Sequence, residues 1–439
     1  MRTRTTAIVT LAAAAVAAGI TIPVVSSASS GTAPPTGIAD APGSGQSAID
    51  WNKELISILG TPSAQPATVH PTRSFAMLQA AEYDAVVSIT HGAPAYHSTV
   101  AAPANARPDA AADQAAHDVL LALYPSMKTG LDDQLTKELA ALPAGNPTQD
   151  GVRVGAAAAH EIVALRSSDG SAATPAPFVP GANPGDYRPT PPKFQAPMYT
   201  TWGSVTPFAL TSAQQFRPAD QPAVTGSAYA IALQEVKSLG RDTSTTRTPD
   251  ETVAGKFWSS APVWNTWNQV TQQLLANRHA SLAQATSVFS TLDLSLADTT
   301  IALYDAKYHW QIWRPVTAIQ QGIPGDPALA GDPTWKPLTP TAADPSYPGA
   351  HSSISEAAAT VLTSVYGSHQ AVAITSAADP GVTRSFSSLS AAADEAGLSR
   401  IWAGQHTRID HQAGQQLGRQ VAGAVLASVS AHRQSPSGY

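Results

Sequence analysis

The chain has 439 residues and a formal charge of −6, with 25 basic against 31 acidic residues and no cysteine. That balance excludes a nucleic-acid binder that works by bulk charge, and the missing thiols exclude cysteine catalysis, disulfides and thiolate metal sites. The length suffices for one large or two moderate domains with a sizeable core.

Arg2 and Arg4 precede an apolar run from Ala7 to Val25 and a small-residue site, Ser26-Ser27-Ala28. This is the order of a secretory signal peptide, so cleavage after Ala28 and a secreted, extracellular protein are expected. The competing reading, an N-terminal membrane anchor, leaves the cleavage site without a role. Loss of residues 1–28 leaves 23 basic against 31 acidic residues, a charge of −8. No later stretch reaches about eighteen apolar residues, so no membrane partner is expected after cleavage. Residues 29–45 are mostly Ser, Gly, Pro and Ala, the composition of a disordered leader.

From residue 46 to about 435 the pattern reads as one helical catalytic domain. Trp51, Leu55, Ile56 and Leu59 recur at helical spacing up to a turn at Gly60-Thr61-Pro62. His70-Pro71-Thr72-Arg73 looks like a helix start with Pro at N1, followed by the amphipathic set Phe75, Leu78, Ala81, Ala85 and Val86. Ala-rich helices are expected at 109–124, 128–142 and 150–166. Residues 167–222 are dense in proline and show no period. Phe178, Tyr187, Phe194, Tyr199, Trp202, Phe208 and Phe216 call for burial there, which predicts an ordered irregular strap across a helical body. Further helices are expected at 226–239, 248–260, 262–277, 281–290, 292–311, 351–367, 387–403 and 408–431. No sustained strand-like alternation appears. The fold class expected is all-α, a helix bundle crossed by a Pro-rich strap.

Three stretches between about 297 and 422 carry candidate chemistry. In K-Y-H-W-Q-I-W-R-P, Lys307 and Arg314 are seven apart, two turns on one helix face, with Pro315 ending the helix. Taken alone, the pair also fits snorkelling surface cations. In P-S-Y-P-G-A-H-S-S-I-S, prolines hold the approach extended, and Gly349 and Ala350 admit a close neighbour. His351 then stands at a helix mouth, where N–H groups and the helix dipole suit an oxyanion. Ser353 and Glu356 have capping-box spacing. In the third stretch, Arg400 precedes His406 by six residues, with Gly404 permitting a bend. Asp410 lies one turn after His406, placed to fix its tautomer. A capping histidine with an i,i+4 ion pair is the plainer reading of that stretch alone. Gly414 and Gly418 continue the same face and suggest tight helix packing.

Together, Lys-x6-Arg-Pro, Pro-Gly-Ala-His-Ser and Arg-x5-His-x3-Asp resemble the vanadium-dependent haloperoxidase and type 2 phosphatidic acid phosphatase superfamily, from about Ser47 to the C-terminus. The resemblance implies an all-helical fold with the site at a bundle end. It implies that Lys307, Arg314 and Arg400, with the Gly349 and Ala350 backbone, hold an oxyanion. His351 would be the acid/base and His406 the ligand of vanadate, with Asp410 behind it; phosphate fits the same place. The expected activity is oxidation of halide by hydrogen peroxide, Lys307 polarising the oxidant, with bromide ahead of chloride. The alternative is a secreted acid phosphatase that hydrolyses a phosphate ester through a phosphohistidine at His406. A non-enzymatic binding relative and a divalent-metal hydrolase built on His406, Asp410 and His411 stand further off.

Two positions depart from the family pattern. The serine of P-S-G-H is replaced in Pro348-Gly349-Ala350-His351, with Ser352 and Ser353 as candidate substitutes. Asp344 stands where chloride-oxidising fungal members carry Phe, and a carboxylate there should disfavour halide approach.

Overall fold

The computed structural model describes residues 44–434 apart from 324, 377 and 378. The expected signal peptide and residues 29–43 of the expected leader lie outside the described residues. Thirteen α-helices follow in the order α1 (Gln46–Gly60), α2 (Thr72–Thr90), α3 (Pro108–Leu123), α4 (Lys128–Ala140), α5 (Asn146–Leu165), α6 (Ser227–Leu239) and α7 (Pro249–Ser260). They continue as α8 (Val263–Asn277), α9 (Leu282–Trp310), α10 (Pro315–Gln321), α11 (Ala350–Tyr366), α12 (Leu389–Trp402) and α13 (Arg408–Gln434). The all-α expectation holds, with one addition. A small antiparallel pair, β1 (Val372–Thr375) and β2 (Thr383–Phe386), joins α11 to α12. Four residues per strand are too few for an alternation to show in the sequence. No helix among the described residues is long and apolar enough to cross a membrane.

The helix at the centre is α9. Expected as two pieces, it is one helix in which all residues from Leu282 to Lys307 are buried except Gln284, Ser287 and Asp305. Its polar run, Ser290-Thr291-Leu292-Asp293, does not break it, because hydroxyls return to the carbonyls of the preceding turn. Thr291 donates to Ser287 (2.8 Å) and Ser295 to Thr291 (2.8 Å). The capping box of Ser281 and Gln284 starts the helix. One side of α9 (Leu294, Ala297, Ile301, Leu303) packs into a core shared with α2, α3 and α5. The other (Val288, Phe289, Leu292, Leu296) packs into a core shared with α8, α11 and α12.

Residues 167–222 form the expected strap, and it grips the C-terminal half of α9. Asp298 accepts the backbone N–H groups of Phe208, Ala209 and Leu210 at 2.6–2.8 Å. Asp305 pairs with Arg217 through two hydrogen bonds, and the Trp310 indole donates to the Pro218 carbonyl. Tyr187, Trp202 and Phe208 are buried as expected, whereas Phe194 is 63% exposed.

Helices α11 and α13 cross with almost no space between backbones. A methyl group at Gly414 would meet the Gly349 carbonyl, and one at Gly418 would collide with Ser353 O and Ala357 N. Gly423, further along α13, has nothing within 4 Å. Gly418→Ala is therefore expected to destabilise the protein by about 1–3 kcal/mol through overpacking. Gly423→Ala should gain up to about 1 kcal/mol from helix propensity. Urea unfolding of the two variants measures both; equal effects would remove the close crossing as the reason for Gly418.

Candidate active site

The three stretches singled out in the sequence meet at one end of the bundle, where α9, α11, α12 and α13 begin or end. Lys307 lies in the last turn of α9 and is fully buried. Arg314 is not on the same helix face. Gln311 adopts the left-handed conformation (φ 48°) and stops α9 at Trp310, and Pro315 opens α10 with Arg314 as its N-cap. The two cations converge nonetheless, with Arg314 on extended backbone (φ −83°, ψ 151°) ahead of α10.

What they converge on is Asp344. Its Oδ1 pairs with Lys307 Nζ (3.0 Å) and Arg314 Nη2, and Arg314 Nε donates to the Asp344 carbonyl at 2.8 Å. Lys307 also donates to the Pro345 and Ser346 carbonyls. Burial on its own would raise the Asp344 carboxyl, but Lys307 and Arg314 overcome it and hold the group at about 2. Burial, partly offset by Asp344, brings Lys307 down to about 8.

His351 is the second residue of α11, with Gly349 as N-cap and no side-chain cap. The expected capping box does not form. Ser353 falls inside the first turn and donates to the Gly349 carbonyl (2.9 Å), and Glu356 reaches Arg419 on α13 (2.8 Å). Nor does either serine replace the missing hydroxyl, since Ser352 is hydrogen-bonded to His411 Nδ1 at 2.9 Å. The Gly349 N–H is itself committed to the Asp410 carbonyl (2.9 Å), so the uncapped N–H groups begin at Ala350. His351 Nε2 donates to the Trp258 carbonyl on α7 at 2.9 Å, which leaves Nδ1 with its lone pair. Burial first, then Arg400, push this imidazole well below its ordinary value, so it rests neutral.

Between α12 and α13, Gly404 (φ 78°) makes the turn in which the Gln405 and His406 N–H groups return to the Arg400 carbonyl. A side chain at Gly404 would strike Gly240 and Pro337. His406 Nδ1 faces Asp410 Oδ2 (3.3 Å), as the four-residue spacing predicts, and Nε2 accepts from Arg314 Nη1 at 3.1 Å. Asp410 is anchored by the Thr407 N–H and by Ser346 Oγ, each at 2.7 Å. Burial and Arg314 bring His406 down to about 3, leaving it neutral with its Nε2 lone pair on the Arg314 guanidinium. Arg400 donates to Ser259 on α7, and its buried Nε has no partner. Sequence reasoning passed over Ser346, Trp258 and Ser259. Ser346 sits within the quoted motif, whereas nothing in a single sequence links α7 to residues 351 and 400.

His411 turns away, toward Ser352 and Asp394. Among the described residues no group of three or more His, Asp or Glu is arranged to hold a metal ion. The donor set instead fits an oxyanion. It has an unpartnered buried guanidinium nitrogen, an uncapped helix N-terminus and a neutral imidazole whose tautomer is fixed by a carboxylate.

The almost wholly helical body gathers the buried Lys307, Arg314, Arg400 and His406, with the half-buried His351, at one bundle end, and its fold is that of the vanadium haloperoxidases. Residues 287–435 match the family described as the VCPO second helical-bundle domain. The first bacterial vanadium-dependent iodoperoxidase is similar along nearly its whole length. Its TM-score is 0.79 at 24% identity, covering 89% of this chain and 98% of that one. A bacterial vanadium-dependent chloroperoxidase is also similar, in its apo form (TM-score 0.66, 16% identity, 85% and 96% covered) and its holo form (0.65, 15%, 85% and 95%). No curated protein matches the chain by sequence.

The anchoring of His406 can be measured directly. Asp410→Asn is expected to weaken binding of inorganic phosphate by about 10–100-fold, and Ser346→Ala by less. Calorimetric titration would decide it. Unchanged affinity in Asp410→Asn would mean that the carboxylate does not orient the ring.

Proposed function

We propose that this protein is an exported, vanadate-dependent haloperoxidase that oxidises bromide in preference to chloride with hydrogen peroxide. The observation that carries it is the neutral His406, its Nδ1 held by Asp410 and its Nε2 accepting from Arg314, one of three buried cations gathered at this bundle end. The iodo- and chloroperoxidase neighbours support halide oxidation as the reaction class. Arg2, Arg4, the apolar run 7–25 and the Ser26-Ser27-Ala28 site support export.

In this reading His406 Nε2 would hold vanadate, and Arg400, Arg314 and the N–H groups from Ala350 onward would balance its negative charge. Bound vanadate supplies Lewis-acid activation of the peroxide and needs no redox change of its own. Lys307, buried at the end of α9, polarises the oxidant. His351 has its Nε2 proton committed to the Trp258 carbonyl, so Nδ1 is the atom that takes a proton from the incoming peroxide and later returns it. Its neutral resting state suits a base. The aromatic residues of the strap fit the same picture. Tyr199 and Trp202 pack with Trp264 and Tyr304 around the buried ring of His70. The Met198 N–H, next to Tyr199, donates to the Ala343 carbonyl at 2.8 Å, which joins the strap to the residue before Asp344.

The test uses residues 29–439 with orthovanadate, bromide, hydrogen peroxide and a phenolic dye. Vanadate-dependent bromination is expected, absent in His406→Ala and reduced about 10²–10³-fold in Lys307→Ala. Hydrolysis of p-nitrophenyl phosphate without halogenation would transfer the protein to the phosphatase branch and reject this reading.

A further inference from the structure

The pocket contains a carboxylate where an oxyanion pocket needs none. Asp344 is 7% exposed, and its Oδ1 bridges two of the three buried cations. Lys307 and Arg314 are thus already matched by a negative charge belonging to the chain. Asp410, on the far side, is a second buried carboxylate, held by Thr407, Ser346 and the His406 ring. His351 and His406 rest neutral, and His70, the next ring out, is likewise neutral. Three cations against two carboxylates leave a single net positive charge. The cation without a carboxylate is Arg400, whose buried Nε has no hydrogen-bond partner.

We propose that Asp344 is a resident counter-anion that sets the charge of the ligand, so that the site takes singly charged oxyanions at Arg400, His406 and the α11 N-terminus and rejects doubly charged ones. This rests on the oxyanion-site reading above and deepens it. Removing an anion's hydration shell inside a low-dielectric site is offset by hydrogen-bond donors and, most strongly, by local charge of opposite sign. One net positive charge offsets one negative charge; the second charge of a dianion meets Asp344 instead. Orthovanadate in dilute neutral solution is mainly a monoanion. Phosphate monoesters, with a second pKa of about 6, are mainly dianions at neutral pH. The same carboxylate therefore selects the cofactor and excludes the commonest phosphatase substrates. Asp344 acts here through the charge of the pocket, as a specificity-determining residue.

The experiment titrates the protein calorimetrically at neutral pH with dilute orthovanadate and with molybdate, a tetrahedral dianion of nearly the same size. It compares the wild type, Asp344→Asn and Asp344→Glu. Asp344→Asn should raise molybdate affinity about tenfold more than it raises vanadate affinity, and Asp344→Glu, which keeps the charge, should leave the ratio within about threefold. An unchanged ratio in Asp344→Asn, with vanadate still binding, would overturn this proposal and leave the oxyanion site standing. Failure of every form to bind either anion would overturn both. A second measurement needs no variant. In a crystal structure of the wild type with vanadate, the Asp344 carboxylate should remain on Lys307 and Arg314, and its expulsion from both would overturn the proposal.

Discussion

Buried positive charges in one pocket are the constraint around which this molecule is arranged. Lys307, Arg314 and Arg400 all lie below a tenth exposure, and burial alone works against each charge. The structure offsets that cost in three ways. Asp344 bridges two of them, backbone carbonyls at Pro345, Ser346 and Gln405 accept their protons, and Ser259 accepts from the third. The price is most visible at Arg400, which burial and then Arg314 bring down to about 9, while Lys307 comes down to about 8 even with Asp344 beside it.

Holding such a cluster demands a rigid frame, and the fold supplies it from elements distant in sequence. The buried α9 delivers Lys307 as the final turn of a helix packed on both sides. Helix α11 delivers His351 at its first turn, and the glycine contacts with α13 tie that turn to the helix that follows His406. The link is direct, because the Asp410 carbonyl accepts the Gly349 N–H. The two histidines are therefore set in one rigid piece. Helix α7 supplies Trp258 and Ser259 as acceptors for His351 and Arg400.

Much of this was legible before any coordinates. The helical period and the four-residue step from His406 to Asp410 are local features, and both appear as expected. The failures share a physical origin in tertiary context. Lys307 and Arg314 looked like neighbours on one helix because seven residues match two turns, yet a left-handed Gln311 ends the helix between them. Ser353 and Glu356 had the spacing of a capping box, but the N-cap is Gly349, four residues before Ser353, and Arg419 claims the glutamate. Asp344 could be read as a departure from a family pattern; that it pairs with two cations depends on a chain path no spacing reveals.

The strap divides the molecule's responsibilities. It grips α9 through Asp298, Asp305 and Trp310, all on the helix that ends beside the cations, and it carries Tyr199 and Trp202 into the aromatic group around His70. None of Lys307, Arg314, His351, Arg400 and His406 comes from it. Its proline-dense backbone forms no long helix that a substitution could unwind, and stretches such as Val179 and Phe194 face solvent. The cations and imidazoles that meet at the bundle end thus lie on a different length of polypeptide from the strap. A change in the strap reaches them only at second hand, through the end of α9 that it grips or through the rings it packs around His70.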